Sequence, residues 1–340
     1  GAGEFAYATE GTMRVIGGGA STSENSHTLQ GGSDWSVSLD QLERSFPNVG
    51  AVSLIVSWFG SDLRAGHCRL EPKVESTAKV TSPSAWGVAG LDRSTAAAVS
   101  QSEGRPAYGG TPSDASVVAA IRDLAARGLH VALTPFVLMD IPAGNALPDP
   151  WTGGAGQPSY PWRGRITVTP APDQPGSPDK TAAATAEIAA LVGTAAIADF
   201  AVVGDRVIYT GPAEWTLRRM VLHYAHLAKA AGGVGAFVIG SELKALTQVR
   251  STSSAFPMVS ALAGLAADVR TVLGPATKIV YAADWSEYFG HQPADGSGDV
   301  LFHLDPLWAS PAIDAIGIDL YWPLADWREG EDHLDRSAGV

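Results

Sequence analysis

The sequence has almost no cysteine and no excess of positive charge. Cys68 is its single cysteine, which excludes a framework of intrachain disulfides. Lys and Arg number 23 against 35 Asp and Glu, giving a formal net charge of -12, and no basic cluster interrupts this balance. Because nucleic acids and anionic membranes bind basic surfaces, we expect neither as a direct partner.

Long apolar runs and a leader sequence are also lacking. No run approaches the roughly 20 apolar residues that span a bilayer, and the N-terminus has no signal-peptide pattern. We therefore expect no direct membrane insertion by this segment. The chain starts with Gly1 instead of an initiator methionine, so we interpret it as part of a longer protein.

The sequence contains instead a repeated alternation of helical and strand-like blocks. Its 340 residues, 45% of them hydrophobic, can bury a large core. Apolar, β-branched runs predict buried strands at 51–59, 129–137, 236–241, 278–283 and 313–321. Apolar residues at helical spacing predict helices over about 112–127, with Thr111 as N-cap, and over 217–228 and 259–273. Helices followed by buried strands indicate a parallel α/β fold.

A barrel suits this pattern better than an open doubly wound sheet. No Gly-x-Gly-x-x-Gly follows any strand, so the usual signal of a dinucleotide-binding sheet is missing. We predict a (β/α)8 TIM barrel over residues 1–340, with its first strand near 11–17 and its second at 51–59. Residues 322–340 are too few for two more βα units of roughly 30 residues each. We therefore expect truncation after the sixth strand, with the closing strands beyond residue 340.

The carboxyl ends of the predicted strands carry carboxylates and aromatic rings, and barrel enzymes keep their catalytic residues at these ends. The residues are Trp58 with Asp62, Phe136 with Asp140, Glu242, Asp284 with Trp285, and Asp319 with Tyr321 and Trp322. Aromatic rings stack on sugar faces and acids bind hydroxyls, so this set predicts a carbohydrate site. Two alternatives stay open: the aromatics fill the upper barrel layer, or Glu242 caps or solvates the helix that follows.

Two long insertions, about 64–108 and 141–211, interrupt the alternation, and the second contains a short predicted helix at about 180–195. Trp151 and Trp162 in the second insertion are candidates for lining a glycan cleft or for docking another subunit. His223 and His226 lie three residues apart on one helix, but no third residue has metal-ligand spacing. We expect neither a metal site nor a cofactor.

Three strand ends resemble those of clan A glycoside hydrolases, notably a bacterial mannanase-like family. They are residues 239–243, 281–285 and 316–324. Longer segments resemble the glycoside-hydrolase-like TIM-barrel domain of the large tail-tip protein of gene transfer agents, also called the baseplate megatron or host specificity protein. These segments are residues 1–10, 106–115, 142–151, 160–165 and 284–293.

The clan A resemblance implies roles for individual residues. Retaining enzymes of this clan use two carboxyl groups about 5–5.5 Å apart. Glu242 would be the acid/base, and the nucleophile would come from a seventh strand beyond the end of this chain. Ser241 stands where the clan usually has an asparagine that holds a sugar 2-hydroxyl, and this departure leaves the substrate and the activity open.

The tail-protein resemblance implies a place in a phage-like particle that is made in the bacterial cytoplasm. Its partners would be a cell-surface glycan of the bacterial host and other tail or baseplate subunits. The first functional hypothesis is a host-contact module at the tail tip that binds or processes glycan. The alternative is an active retaining glycoside hydrolase that acts on envelope polysaccharide or on peptidoglycan sugar.

Overall fold

The computed structural model describes residues 3–252, 255–321, 329–330, 332–333 and 336. Its helices are α1 (Asp34–Ser45), α2 (Asp114–Ala126), α3 (Ala182–Val192), α4 (Leu217–Ala230), α5 (Lys244–Thr247), α6 (Pro257–Leu273) and α7 (Asp305–Trp308), with 3₁₀ turns at Arg163–Arg165 and Ile197–Asp199. Its strands are β1 (Met13–Gly17), β2 (Ala20–Ser23), β3 (Ala51–Gly60), β4 (Leu70–Glu71), β5 (Lys73–Val74), β6 (Val80–Ser82), β7 (Gly87–Val88), β8 (Leu91–Asp92), β9 (Ala97–Ala98), β10 (Gln101–Ser102), β11 (Arg105–Pro106), β12 (His130–Met139), β13 (Phe200–Val203), β14 (Arg206–Tyr209), β15 (Ala236–Ser241), β16 (Lys278–Asp284) and β17 (Ala315–Asp319).

The central sheet has the strand order β17-β16-β15-β12-β3-β4. Its five long strands are parallel and lie side by side in chain order, whereas the two-residue β4 runs antiparallel along the edge of β3. A doubly wound sheet reverses its strand order at a switch point, but a TIM barrel does not. The order confirms the predicted TIM-barrel fold class, and the sheet formed by the described residues is open.

The register of the sheet separates its two faces. Strands β3 and β12 pair over ten residues, from Ala51 with His130 to Gly60 with Met139. Since side chains alternate along a strand, Ser57 and its partner Phe136 share the inner face, while Leu54, Val56 and Trp58 point outward. These three outward side chains are buried.

Helices α4 and α6 cover the outer face of the sheet and contact each other. Helix α4 contributes eleven buried residues, as its dense apolar pattern predicts. The segment Ala182–Asp199, mean hydropathy 1.4, meets the length and composition criteria for a membrane-spanning helix among the described residues. Helix α3 itself has 11 residues and ends at Gly193, and its Ala184, Ile188 and Leu191 pack in the protein core.

The prediction that residues near 11–17 form the first barrel strand is wrong. Residues Met13–Gly17 form β1, which pairs antiparallel with β2 and β6 in a separate three-stranded sheet. Gly17, Gly18 and Gly19 all have positive φ. Because glycine adopts this conformation without steric strain, the chain reverses here into a hairpin and does not enter the parallel sheet.

Both insertions emerge from carboxyl ends of central strands and are tied back to them. The first holds the short strands β4 to β11, and the second holds both 3₁₀ turns, α3 and the β13–β14 hairpin. Asp62 binds Arg64 at 2.6 Å, and it accepts a hydrogen bond from Gln157 of the second insertion at 2.7 Å. Asp140 pairs with Lys73 of the first insertion at 2.7 Å. The two insertions are therefore anchored at the carboxyl-terminal edge of the central sheet.

Candidate functional site

Glu242 directly follows the β15 strand and has a backbone conformation that is rare outside glycine. Its φ is +51°, and its amide makes a last inter-strand bond to the Ala282 carbonyl at 2.8 Å. Such strained residues persist where the surrounding structure holds them, and they cluster at functional sites. Helix α5 begins with Leu243 at its N-cap and has no side-chain cap bond. Glu242 is 5% exposed, so the alternative that it caps or solvates the next helix is wrong.

The second insertion reaches the Glu242 carboxylate. Oε2 of Glu242 accepts a hydrogen bond from Trp162 Nε1 at 2.5 Å and lies 3.0 Å from Nη2 of Arg163. Arg163 is buried, whereas Trp162 is 39% exposed. A charge-assisted bond and an indole donor therefore fix the carboxylate from one side.

Arg163 is the centre of the site. Its Nε donates to the Ser241 carbonyl at 2.7 Å, its Nη2 donates to Ser241 Oγ at 2.6 Å, and its guanidinium lies 3.8 Å from the centroid of the Phe136 ring. Burial lowers the pKa of Arg163, and the charges of Glu242 and Asp319 oppose that shift. A buried guanidinium with these partners satisfies the requirement that buried charges be paired.

Ser241 and Asp319 complete the network on the inner face. Ser241 Oγ donates to Asp319 Oδ2 at 2.6 Å while it accepts from Arg163. The serine hydroxyl is thus engaged within the protein. The Tyr321 side chain, just after β17, is 87% exposed. Four predicted site residues therefore lie together, as expected from their places at the ends of neighbouring strands: Phe136, Ser241, Glu242 and Asp319.

The end of β16 contributes an exposed ring beside a self-contained turn. Asp284 accepts hydrogen bonds from the Ser286 amide at 2.8 Å and from the Ser286 hydroxyl. Its carboxylate therefore stabilises the turn that follows the strand. The Trp285 amide donates to the Asp319 carbonyl at 3.1 Å, and the Trp285 side chain is 54% exposed. Trp285 thus presents an open aromatic face next to the network.

Other predicted site residues lie elsewhere. Trp58 has no exposed surface, packs on the outer side of the sheet and donates to the Tyr224 hydroxyl at 3.1 Å. It serves the core, because a ring without exposed surface cannot stack on a ligand. Asp62 and Asp140 anchor the two insertions through their contacts with Arg64, Gln157 and Lys73. Trp322 lies outside the described residues.

Trp151 also has a structural partner. Its indole Nε1 donates to the Arg165 carbonyl at 2.9 Å, and the Arg165 guanidinium lies 5.7 Å from its ring. Trp151 therefore braces the turn that carries Trp162 and Arg163.

Sequence reasoning missed Arg163, Tyr281 and Glu287. The Tyr281 hydroxyl accepts from the Leu243 amide at 2.9 Å and donates to Glu287 Oε1 at 2.8 Å. Burial raises the pKa of Glu287 to about 7 and that of Tyr281 well above its usual value. No local pattern marks Arg163, because its contact with Ser241 joins residues 78 positions apart.

A carboxylate cluster lies away from this site, near the N-terminus. Among the described residues, oxygens of Glu4, Glu24 and Glu75 lie within 4.8 Å of one another, as metal ligands do. The Lys79 ammonium binds all three and lies 2.8 Å from Glu24, while Arg93 pairs with Glu4 at 2.7 Å. The cluster is therefore an ion-pair network around a lysine.

Residues 215–340 match the family described as the GTA TIM-barrel-like domain. This match includes Glu242 and the strands from β15 to β17. A comparison with curated proteins gave no match.

The chain is also similar to solved structures, among them two GH113 mannanases. A complex of a GH113 β-1,4-mannanase is 16% identical with a TM-score of 0.41, and the alignment covers 86% of this chain and 58% of the mannanase. A GH113 β-mannanase from Alicyclobacillus acidocaldarius in complex with ManMIm is 16% identical with a TM-score of 0.35, covering 82% of this chain and 54% of that one. The chain thus spans 58% of the first and 54% of the second.

Proposed function

We propose that this chain is a glycan-contacting TIM-barrel domain of a phage-like tail-tip protein, which acts when the particle meets the surface of a bacterial host. The match of residues 215–340 to the GTA TIM-barrel-like domain supports the tail assignment. Host glycan and neighbouring tail or baseplate subunits are the proposed partners. The net charge of -12 disfavours anionic polymers, so a neutral polysaccharide is the proposed ligand class.

The observation that carries the proposal is the way in which Glu242 is held. Both of its side-chain contacts, to Trp162 and to Arg163, are made by Oε2. Within the described part of the chain, Oε1 accepts no hydrogen bond and is left to bind a hydroxyl. The exposed ring of Trp162 contacts this carboxylate, and the exposed side chains of Trp285 and Tyr321 come just after the neighbouring strands β16 and β17. A carboxylate beside an aromatic ring suits a sugar ring.

Trp285→Ala tests the glycan contact. If Trp285 stacks on sugar, its loss should weaken retention on neutral host polysaccharide by ~1–3 kcal/mol. Affinity electrophoresis of the 340-residue chain through gels containing host polysaccharide measures the retention. Phe46→Ala is the matched control, because Phe46 is 63% exposed and lies at the end of α1, just before the amino end of β3. Equal retention of wild type and Trp285→Ala, with wild type retained, would contradict the stacking role.

The second candidate is a retaining glycoside hydrolase with Glu242 as its acid/base. The specific observation that favours it is a strained, buried carboxyl at the carboxyl end of a barrel strand, with one oxygen unengaged. The nucleophile would lie outside the described residues. In this case Glu242→Gln should lose about 100-fold to 10,000-fold in rate, because the amide cannot donate the proton.

Reducing-end release from host envelope glycans separates the two candidates. The full-length protein is assayed as wild type and as Glu242→Gln, with thermal melting to verify that the variant is folded. A binding module releases no reducing ends in either form, whereas an acid/base loses release in the variant. With a substrate whose activated leaving group needs no protonation, Glu242→Gln should keep the wild-type rate of the glycosylation step. Equal, nonzero release of reducing ends by wild type and Glu242→Gln would contradict a catalytic role for Glu242.

A further inference from the structure

The left-handed turn at Glu242 leaves the next amide outside the β-ladder. Glu242 makes the last inter-strand backbone bond, and the N–H of the buried Leu243 makes no backbone bond. A buried amide without a partner destabilises a fold, so this turn requires an acceptor. The Tyr281 hydroxyl supplies it at 2.9 Å. Tyr281 lies on the adjacent strand β16 with its side chain fully buried.

The Tyr281 hydroxyl is oriented in turn by a buried carboxyl group. It donates to Glu287 Oε1 at 2.8 Å, and Thr247 Oγ1 donates to the same oxygen at 2.6 Å. The Asp284 amide donates to the other oxygen at 3.0 Å. Glu287 has no exposed surface, and it has no cationic partner among the described residues. The carboxyl group therefore depends on these three donors.

The three donors come from two elements that carry the site, Tyr281 and Asp284 from β16 and Thr247 from α5. Tyr281 connects Glu287 to the end of β15, Thr247 connects it to α5, and Asp284 connects it to the turn that presents Trp285. We infer that Tyr281 and Glu287 are positioning residues that hold the left-handed turn of Glu242 and thereby aim its carboxylate at the ligand. This inference rests on the proposed role of Glu242 as the glycan contact.

Few other ionisable groups face Glu287. His303, on the segment before α7, lies 3.4 Å from Thr247 Oγ1, and burial lowers its pKa to about 4. It is therefore neutral at neutral pH. The negative charge of Asp284 adds to burial in raising the pKa of Glu287 to about 7. Lys244 on α5 bonds the Ser286 hydroxyl at 2.8 Å. The charge of Glu287 thus changes near neutral pH, and no cation pairs with it in the part of the chain that the structure describes.

Amide hydrogen exchange tests the structural half of this inference without any glycan. Tyr281→Phe removes the only acceptor for the Leu243 amide among the described residues, so exchange of that amide should accelerate about 5-fold to 150-fold. Tyr224→Phe is the matched control, because Tyr224 is equally buried but accepts its hydrogen bond from Trp58, away from the site. Equal Leu243 exchange in the two variants would overturn the inference.

The pH profile of glycan retention tests the positioning half. Wild-type retention should change around pH 7, and Glu287→Gln should be independent of pH there, because its amide cannot ionise. Tyr281→Phe should weaken retention by about 2-fold to 30-fold, whereas Tyr224→Phe should not. A Glu287→Gln variant that keeps the wild-type pH dependence would overturn the role of Glu287. If wild type binds no glycan while the exchange difference at Leu243 persists, the proposed function fails and the hydrogen-bond network stands.

Discussion

At the scale of single residues, Arg163 holds the candidate site together. Its guanidinium is buried, and it contacts the Glu242 carboxylate, both oxygens of Ser241 and the Phe136 ring. Removing one member of a buried ion pair typically costs 3–5 kcal/mol, because the remaining charge is left unpaired. The same pairing implies that a ligand binding Glu242 must use the free oxygen or displace Trp162.

Gly193 is a second residue whose identity the structure requires. It ends α3 with a φ of +80°, and a Cβ there would lie 2.2 Å from Thr216 Oγ1 and 2.5 Å from Glu214 Oε1. Gly193→Ala should therefore destabilise the protein by more than the roughly 1–3 kcal/mol that its positive-φ backbone conformation alone costs a residue with a Cβ. The free energy of unfolding from urea titration measures this effect.

Two other glycines provide matched controls for that measurement. Gly274 ends α6 with a φ of +77° and open space around it, so Gly274→Ala should cost only the strain. Gly264 lies inside α6 with nothing within 4 Å, and Gly264→Ala should stabilise the protein by about 0.5–1 kcal/mol. A cost at Gly193 no greater than at Gly274 would refute the steric account.

At the scale of elements, the buried parallel strands were predictable and the first strand was not. The segments predicted as the second to sixth barrel strands became β3, β12, β15, β16 and β17, because a strand covered on both faces reads as a continuous apolar run. The prediction that the sixth is buried is wrong, since Ile316 and Ile318 of the edge strand β17 are exposed. The segment near 11–17 has strand character, but its pairing is decided by the glycine turn that follows it. Pairing depends on tertiary context that composition does not contain.

The helix ends and the site residues were likewise predictable only in part. Helix α2 begins at Asp114 with Ser113 as its N-cap, not Thr111, whose hydroxyl donates to the Ser57 carbonyl at 2.9 Å. Because its hydroxyl makes this tertiary hydrogen bond, Thr111 does not cap the helix as predicted. Glu242 was predictable because the strand before it is a local signal. Arg163 was not, because a three-residue 3₁₀ turn has no periodicity and its partners are distant in sequence.

At the scale of the whole molecule, two buried groups give stability opposite dependences on pH. The folded pKa of Glu287, about 7, lies above its ordinary 4.5, so its contribution is full below pH 4.5 and is lost as pH rises towards 7. The folded pKa of His303, about 4, lies below its ordinary 6.5, so its contribution is full above pH 6.5 and is lost as pH falls towards 4. Between pH 4.5 and 6.5 the two slopes oppose each other.

Glu287→Gln should therefore expose the histidine slope. The difference in free energy of unfolding between wild type and this variant should fall by at most ~1.4 kcal/mol per pH unit between pH 4.5 and 7. Urea titrations at half-unit pH steps measure it. Glu187→Gln is a graded control, because burial also raises the pKa of Glu187 but its side chain is less buried. A constant difference across this window would show that Glu287 titrates normally.

The contacts of Arg163 also imply an order in which the strands and the turn that carries Arg163 associate during folding. The arginine completes its contacts only when β15 lies beside β12, because Ser241 and Glu242 lie at the end of β15 and Phe136 lies on β12. The 3₁₀ turn that carries it has no regular structure to nucleate alone, and closing a loop this long is entropically unfavourable until the contacts form. We expect the strands to associate first and the Trp162–Arg163 turn to dock last. The same turn should then be the first to detach in transient openings, which would uncover Glu242 while the sheet remains intact.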